Sequence, residues 1–183
     1  DGAVLLGAGV TLSQVTAHAD LKRTLPPLVA AAPTVAGPAH RSAATVGGNL
    51  CLDTRCVFYN QSAWWRWAND HCLKHGGTVC HVAPQGRRCH AAFSGDLAPV
   101  LLVHDAQVSL ASAAGTRRMP LAALYVDDGA ARLALDPGEV LCAVHVPPQP
   151  ENARAGYRKA RVRGAIDFPL AGVAVRAIVE NGV

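Results

Sequence analysis

Charge is what this sequence has least of. Asp, Glu, Lys and Arg make up 16% of its 183 residues while half of the chain is hydrophobic, and an average soluble protein is about 25% charged. That balance excludes a disordered, solvating tail. The surplus of base is only +4, spread over 17 Lys and Arg, too thin for the basic stripe of a nucleic-acid binder. Long apolar runs are missing as well. No segment approaches the ~18 residues of a membrane span, and the best, LAGVAVRAIV, is cut by Arg176. A chain of this length fits one domain of about 100–200 residues and buries roughly 70% of its unfolded surface. Its core therefore does not depend on metals or disulfides. There is no initial Met, basic n-region or apolar h-region at Asp1. At the other end an apolar stretch stops at the turn dipeptide Asn181-Gly182, which predicts a hairpin whose second half is missing. The expectation is an internal piece of a longer polypeptide.

What the chain does contain is organised in blocks. Residues 1–12 read as a glycine-interrupted strand or hairpin. Ser13 is an N-cap candidate for a helix over 13–31, with Val15, Leu21, Leu25 and Leu28 as its apolar positions and Pro26-Pro27 as its breaker. Residues 33–50 have the Gly, Pro and small side chains of a loop. DLAPVLLV suits a short helix at 96–103, and 106–112 and 138–146 alternate as strands do. PPQP at 147–150 reads as a linker, after which GYRKARVRG opens a new unit with alternating basic residues. The pattern is α+β, with a boundary near 148.

Residues 51–95 stand apart, holding five of the six Cys, all three Trp and four of the eight His. Disulfides belong to small secreted domains and fall behind. Structural zinc favours C-x2–4-C pairs, whereas the spacings here are C-x4-C, C-x15-C, C-x7-C and C-x8-C. An iron–sulfur cluster needs four converging thiolates, which wide spacings permit. On spacing the two metals stand level. Trp64, Trp65 and Trp67 would shield a cluster if buried. Gly76, Gly77 and Gly86 would let backbone N–H groups approach sulfide. His71, His75, His81 and His90 are either zinc ligands or surface groups. Cys51 follows GGNL and is committed to that turn, which leaves Cys56, Cys72, Cys80 and Cys89 as the metal quartet, with Cys51 and Cys142 as ordinary buried thiols.

Thr45-Val46-Gly47-Gly48-Asn49 has a physical use of its own. Paired glycines let a backbone approach a pyrophosphate and present N–H groups to it, and Thr45 and Asn49 add side-chain hydrogen bonds. A bare Gly-Gly turn is weak evidence. Its companions occur in a fixed order: GAGVTLS, ATVGGNL, SGDLAPVLL, GEVL, YRKARVRGAIDF. Together they resemble the flavin-binding (medium) subunit of the molybdenum hydroxylases, a family that includes xanthine and carbon monoxide dehydrogenases. The resemblance spans 1–183, and the cysteine block is similar to the insertion of the 4-hydroxybenzoyl-CoA reductase branch, which carries a [4Fe–4S] cluster beside FAD.

The resemblance implies a two-part FAD-binding domain over 1–147, its first glycine-rich FAD loop lying upstream of this sequence. It implies an iron–sulfur insertion at 51–95 and the start of a truncated C-terminal α+β domain at 151–183. By the same resemblance FAD is contacted by Val35, Thr45, Val46, Gly47, Gly48, Asn49, Asp96, Leu141 and a basic residue, Arg158 in preference to Lys159. Asp96 as a helix N-cap, Arg158 and Lys159 as solvated strand residues, and Val35 and Leu141 as core are the plainer alternatives. The implied role is electron transfer without a substrate-reducing site, in a cytoplasmic complex. Reduced ferredoxin would donate through [4Fe–4S] and FAD to a [2Fe–2S] subunit and a molybdenum-cofactor subunit that removes the phenolic hydroxyl. The alternatives are a flavin subunit of another molybdenum hydroxylase and a zinc-stapled interaction module.

Overall fold

The computed structural model describes residues 2–180, so the Asn181-Gly182 turn lies outside the described residues. In chain order the elements are β1 (Val4–Gly7), α1 (Leu12–Ala17), α2 (Ala19–Thr24), α3 (Pro26–Ala31), α4 (Pro38–Ala43), α5 (Val46–Leu50), α6 (Ala63–Ala68), α7 (Leu97–Val103), β2 (Gln107–Ser112), β3 (Gly115–Pro120), α8 (Leu121–Leu124), β4 (Val140–Val146), β5 (Ala153–Ala160) and β6 (Ala171–Ile178). Two compact units emerge. The first comprises 1–51, 95–122 and 135–183; the second comprises 52–94 and 123–134.

The first unit holds a four-stranded antiparallel sheet in the order β1-β4-β2-β3 and a β5-β6 pair. Alternation on β2 and β4 turns Val108, Leu110, Val144 and Val146 into the core. The segment read as one helix over 13–31 is three. Thr11, not Ser13, caps α1, in a reciprocal capping box with Gln14, and Leu12 and Val15 lie one turn apart on its buried face. Pro26 starts α3 instead of ending a helix, because its missing N–H falls among the unpaired first-turn donors. The segment read as loop at 33–50 contains α4 and α5. Its small residues permit close packing: a Cβ on Gly47 would lie 2.8 Å from Ala8 Cβ. The segment expected to open a separate C-terminal domain supplies β5 and β6, and these pack on α3 and α7 within the first unit.

The second unit is irregular apart from α6, a 3-10 turn at Leu73–His75 and two isolated bridges, Arg55 with Ala92 and Tyr125 with Leu133. Trp64 and Trp67 are 71% and 68% exposed, against the expectation of buried rings. A one-and-a-half-turn helix on a loop has no second layer to cover both of its faces, so only Trp65 is half-buried. Among the described residues no helix is long and apolar enough to cross a membrane.

Candidate functional site

Asp96 is the hub of the first unit. Its carboxylate accepts from the Tyr157 hydroxyl (2.7 Å) and pairs with the Lys159 ammonium (2.8 Å), and the Asp96 and Lys159 side chains are only 4% and 2% exposed. Lys159 also donates to the Thr34 carbonyl at 3.0 Å, as does Arg161 at 3.3 Å. Burial, reinforced by the hydrogen bond to Asp96 and by its charge, pushes the Tyr157 phenol well above its ordinary pKa, so the hydroxyl stays a donor. Asp96 occupies the N-cap position of α7 but makes no capping bond. The buried Asn49 does that instead, its Oδ1 accepting from Leu97 N at 3.0 Å.

β5 alternates inward and outward, so Tyr157 and Lys159 face Asp96 and Arg158 is exposed. Of the two basic candidates, Lys159 is the one joined to the others. Val35 is half-buried beside Thr34, and Arg41 donates to its carbonyl at 2.9 Å. Leu141 is half-exposed on β4 beside a register shift in the β2-β4 ladder. The adjacent Cys142 carbonyl takes Ala8 N at 2.8 Å, and the Ala8 carbonyl takes Gly47 N at 2.8 Å. That relay ties β4 to α5.

The glycine turn does not present bare N–H groups. Val46 N bonds to the Val10 carbonyl, Gly47 N to Ala8, Gly48 N to Thr45 Oγ1 and Asn49 N to the Thr45 carbonyl. The segment after β1 takes the first two of these donors, and Thr45, as the N-cap of α5, takes the other two. What α5 offers a ligand is the exposed, side-chain-free Gly48. Sequence reasoning missed Tyr157 and the Thr34 carbonyl. The i, i+2 spacing of Tyr157, Lys159 and Arg161 was the available signal for the first.

In the second unit Cys72, Cys80 and Cys89 are buried and Cys56 is half-buried, all four as free thiols. Backbone N–H groups point at sulfur: Tyr59 N to Cys56 Sγ (3.3 Å) and Ala91 N to Cys89 Sγ (3.4 Å). Burial pushes the Cys80 thiol up, but backbone N–H groups of His90, Ala83 and Val82 outweigh it and bring the pKa below the ordinary value. Cys89 goes the other way. Burial raises it, and the nearby Cys80 and Cys56 thiols add to the rise. Donor type and N–H···S bonding fit a thiolate-bound metal group. Among the described residues, no three His, Cys, Asp or Glu converge closely enough to hold an ion as they stand.

The expected glycine donors are not the ones used, since Gly77 N goes to the Cys72 carbonyl and Gly86 N to Ala83. His81 bonds the His71 carbonyl at 2.6 Å. Cys51 closes α5 in the first unit, half-buried, with its N–H on the Gly47 carbonyl. Cys142 is exposed, because the register shift leaves it without a partner on β2. Neither is the buried thiol expected.

Comparison with known proteins bears on family and fold. The family model described as FAD binding domain in molybdopterin dehydrogenase matches residues 1–149. The xanthine dehydrogenase FAD-binding subunit of Escherichia coli O157:H7 is 28% identical over 183 residues, all of this chain and 49% of the relative. The aldehyde oxidoreductase FAD-binding subunit PaoB of Escherichia coli K12 is 32% identical over 188 residues, 98% of this chain and 58% of the relative. Reconstituted CO dehydrogenase from Oligotropha carboxidovorans matches with a TM-score of 0.70 at 21% identity, over 100% of this chain and 49% of that one. Quinoline 2-oxidoreductase from Pseudomonas putida 86 matches with a TM-score of 0.60 at 19% identity, over 91% and 44%. These two structures share the fold. The chain spans about half the length of the curated relatives it matches.

Proposed function

Because this chain belongs to the family of FAD-binding domains in molybdopterin dehydrogenases, we propose that it is the flavin-carrying part of a molybdenum hydroxylase complex of the 4-hydroxybenzoyl-CoA reductase type. Its partners would be a molybdenum-cofactor subunit, a [2Fe–2S] subunit and reduced ferredoxin, in the cytoplasm. FAD would be held by Val35, Thr45–Asn49, Asp96, Leu141 and Lys159, and a [4Fe–4S] cluster by Cys56, Cys72, Cys80 and Cys89. When bound, the flavin exchanges electrons singly or in pairs and the cluster one at a time.

The chain's own residues orient and hold. Lys159 and Tyr157 fix both oxygens of Asp96, so a ligand meets a carboxylate with one orientation and no freedom to turn. Asn49 locks α5 to α7 through Leu97 N. Thr45 keeps Gly48 at the surface of α5. In the second unit backbone N–H donors bring the Cys80 thiol towards thiolate, the form a metal needs.

The observation that carries the cluster is this set of backbone donors aimed at three of the four thiols of the second unit. A second reading is favoured by the matched subunits' names, xanthine dehydrogenase and aldehyde oxidoreductase: a flavin subunit of that ordinary kind, its cysteine unit stapled by zinc. Anaerobic reconstitution of the full-length chain with iron and sulfide, then metal analysis and EPR after dithionite, separates the two. The proposal expects about four irons per chain and a reduced-cluster signal abolished by Cys72→Ser. One tight zinc and a silent spectrum overturn the reductase reading and leave the flavin role standing.

A further inference from the structure

Lys74 carries no motif, yet it is the most constrained charge in the cysteine unit. Its side chain is 6% exposed. The ammonium donates to Asp53 Oδ1 at 2.8 Å, Thr54 Oγ1 at 2.6 Å and the Gly129 carbonyl at 2.8 Å, which uses all three of its N–H bonds. It also lies 5.0 Å from the centroid of the Tyr59 ring, within cation–π range.

Each partner leads to a cysteine. Asp53 and Thr54 run directly into the segment of Cys56, and Tyr59 supplies the N–H on Cys56 Sγ. Lys74 stands two residues after Cys72. Gly129 N donates to the Cys89 carbonyl at 2.9 Å, and Gly129 tolerates no side chain, because a Cβ would lie 2.7 Å from the Ala91 carbonyl. One ammonium thus joins three stretches that are far apart in sequence.

We propose that Lys74 is a positioning residue for the cysteine site, tying together the segments of Cys56, Cys72 and Cys89 and holding a fixed positive charge among them. The inference rests on the cluster reading above. Asp53 is shared between Lys74 and Arg132, the latter at 3.2 Å, so the three groups leave one net positive charge. A cation next to a cluster stabilises its more negative, reduced form and raises the potential.

The test uses the full-length chain, purified anaerobically and loaded with iron and sulfide, as wild type, Lys74→Met and Lys74→Arg. Lys74→Met is expected to hold iron about 10–100-fold less tightly against a chelator, with a midpoint potential shifted negative. Lys74→Arg keeps the charge and so keeps the potential, even where its bulk loosens the metal. Should Lys74→Met take up no iron, Lys74→Arg decides: a wild-type potential sustains the proposal and a shifted one overturns it. A Lys74→Met cluster with wild-type retention and potential overturns the role of Lys74 alone. A wild-type chain that takes up no iron takes the cluster reading down with it.

Discussion

A buried carboxylate survives only if something answers its charge, and for Asp96 that answer is Lys159 with Tyr157. Removing one partner of such a pair costs more than the pair contributes, because the remaining charge stays in the interior. Lys159→Met is therefore expected to destabilise the fold by about 3–5 kcal/mol, read from the urea midpoint at unchanged slope. Arg158→Ala, on the exposed parity of the same strand, should change stability by no more than about 0.5 kcal/mol. Equal effects at the two positions would contradict the register of β5. The sequence showed the alternation of Tyr157, Lys159 and Arg161 but not which parity faced inward. That depends on the partner carboxylate, 63 positions from Lys159 along the chain. Nor was it legible that Asp96 leaves α7 without a side-chain cap, since Asn49 supplies that bond from a distant turn.

At the scale of elements, boundaries were the least legible feature. The strands β2 and β4 and the helix α7 fall where alternation and apolar spacing put them, within one or two residues. The helices before them do not, because six-residue pieces held by caps leave too little periodicity to read. Electrostatics also acts at this scale, between β3 and the turn that opens β4. Arg117 donates from Nε and Nη2 to the Glu139 carboxylate at 2.6 Å each. That pairing, with the N–H of Asp136, holds Glu139 down to about 2 from an ordinary 4.5. A carboxyl depressed by folding stabilises the fold above its unfolded pKa, and the contribution fades as pH falls from about 4.5 towards 2. The difference in Tm between wild type and Glu139→Gln should therefore be present at pH 7 and vanish by about pH 2. A difference of the same size at both ends would mean that the pair acts through packing and not through charge.

For the whole molecule, composition set a cysteine block at 51–95, and the structure has a compact unit made of 52–94 and 123–134. Composition missed that 123–134 belongs to the same unit. Nothing in DDGAARL resembles the cysteine segment, and what joins them is the Gly129 carbonyl on Lys74 and Asp128 Oδ1 on Cys89 N. The quartet falls wholly in the second unit, and the residues assigned to the flavin fall wholly in the first. Two units with separate interiors should load separately, because losing one ligand set leaves the other's hydrogen bonds unbroken. In the full-length chain, Cys80→Ser should abolish iron uptake and retain the flavin absorbance of wild type. Asp96→Asn should do the reverse, weakening flavin retention at unchanged iron content. If either substitution strips both groups, the two units fold as one cooperative body.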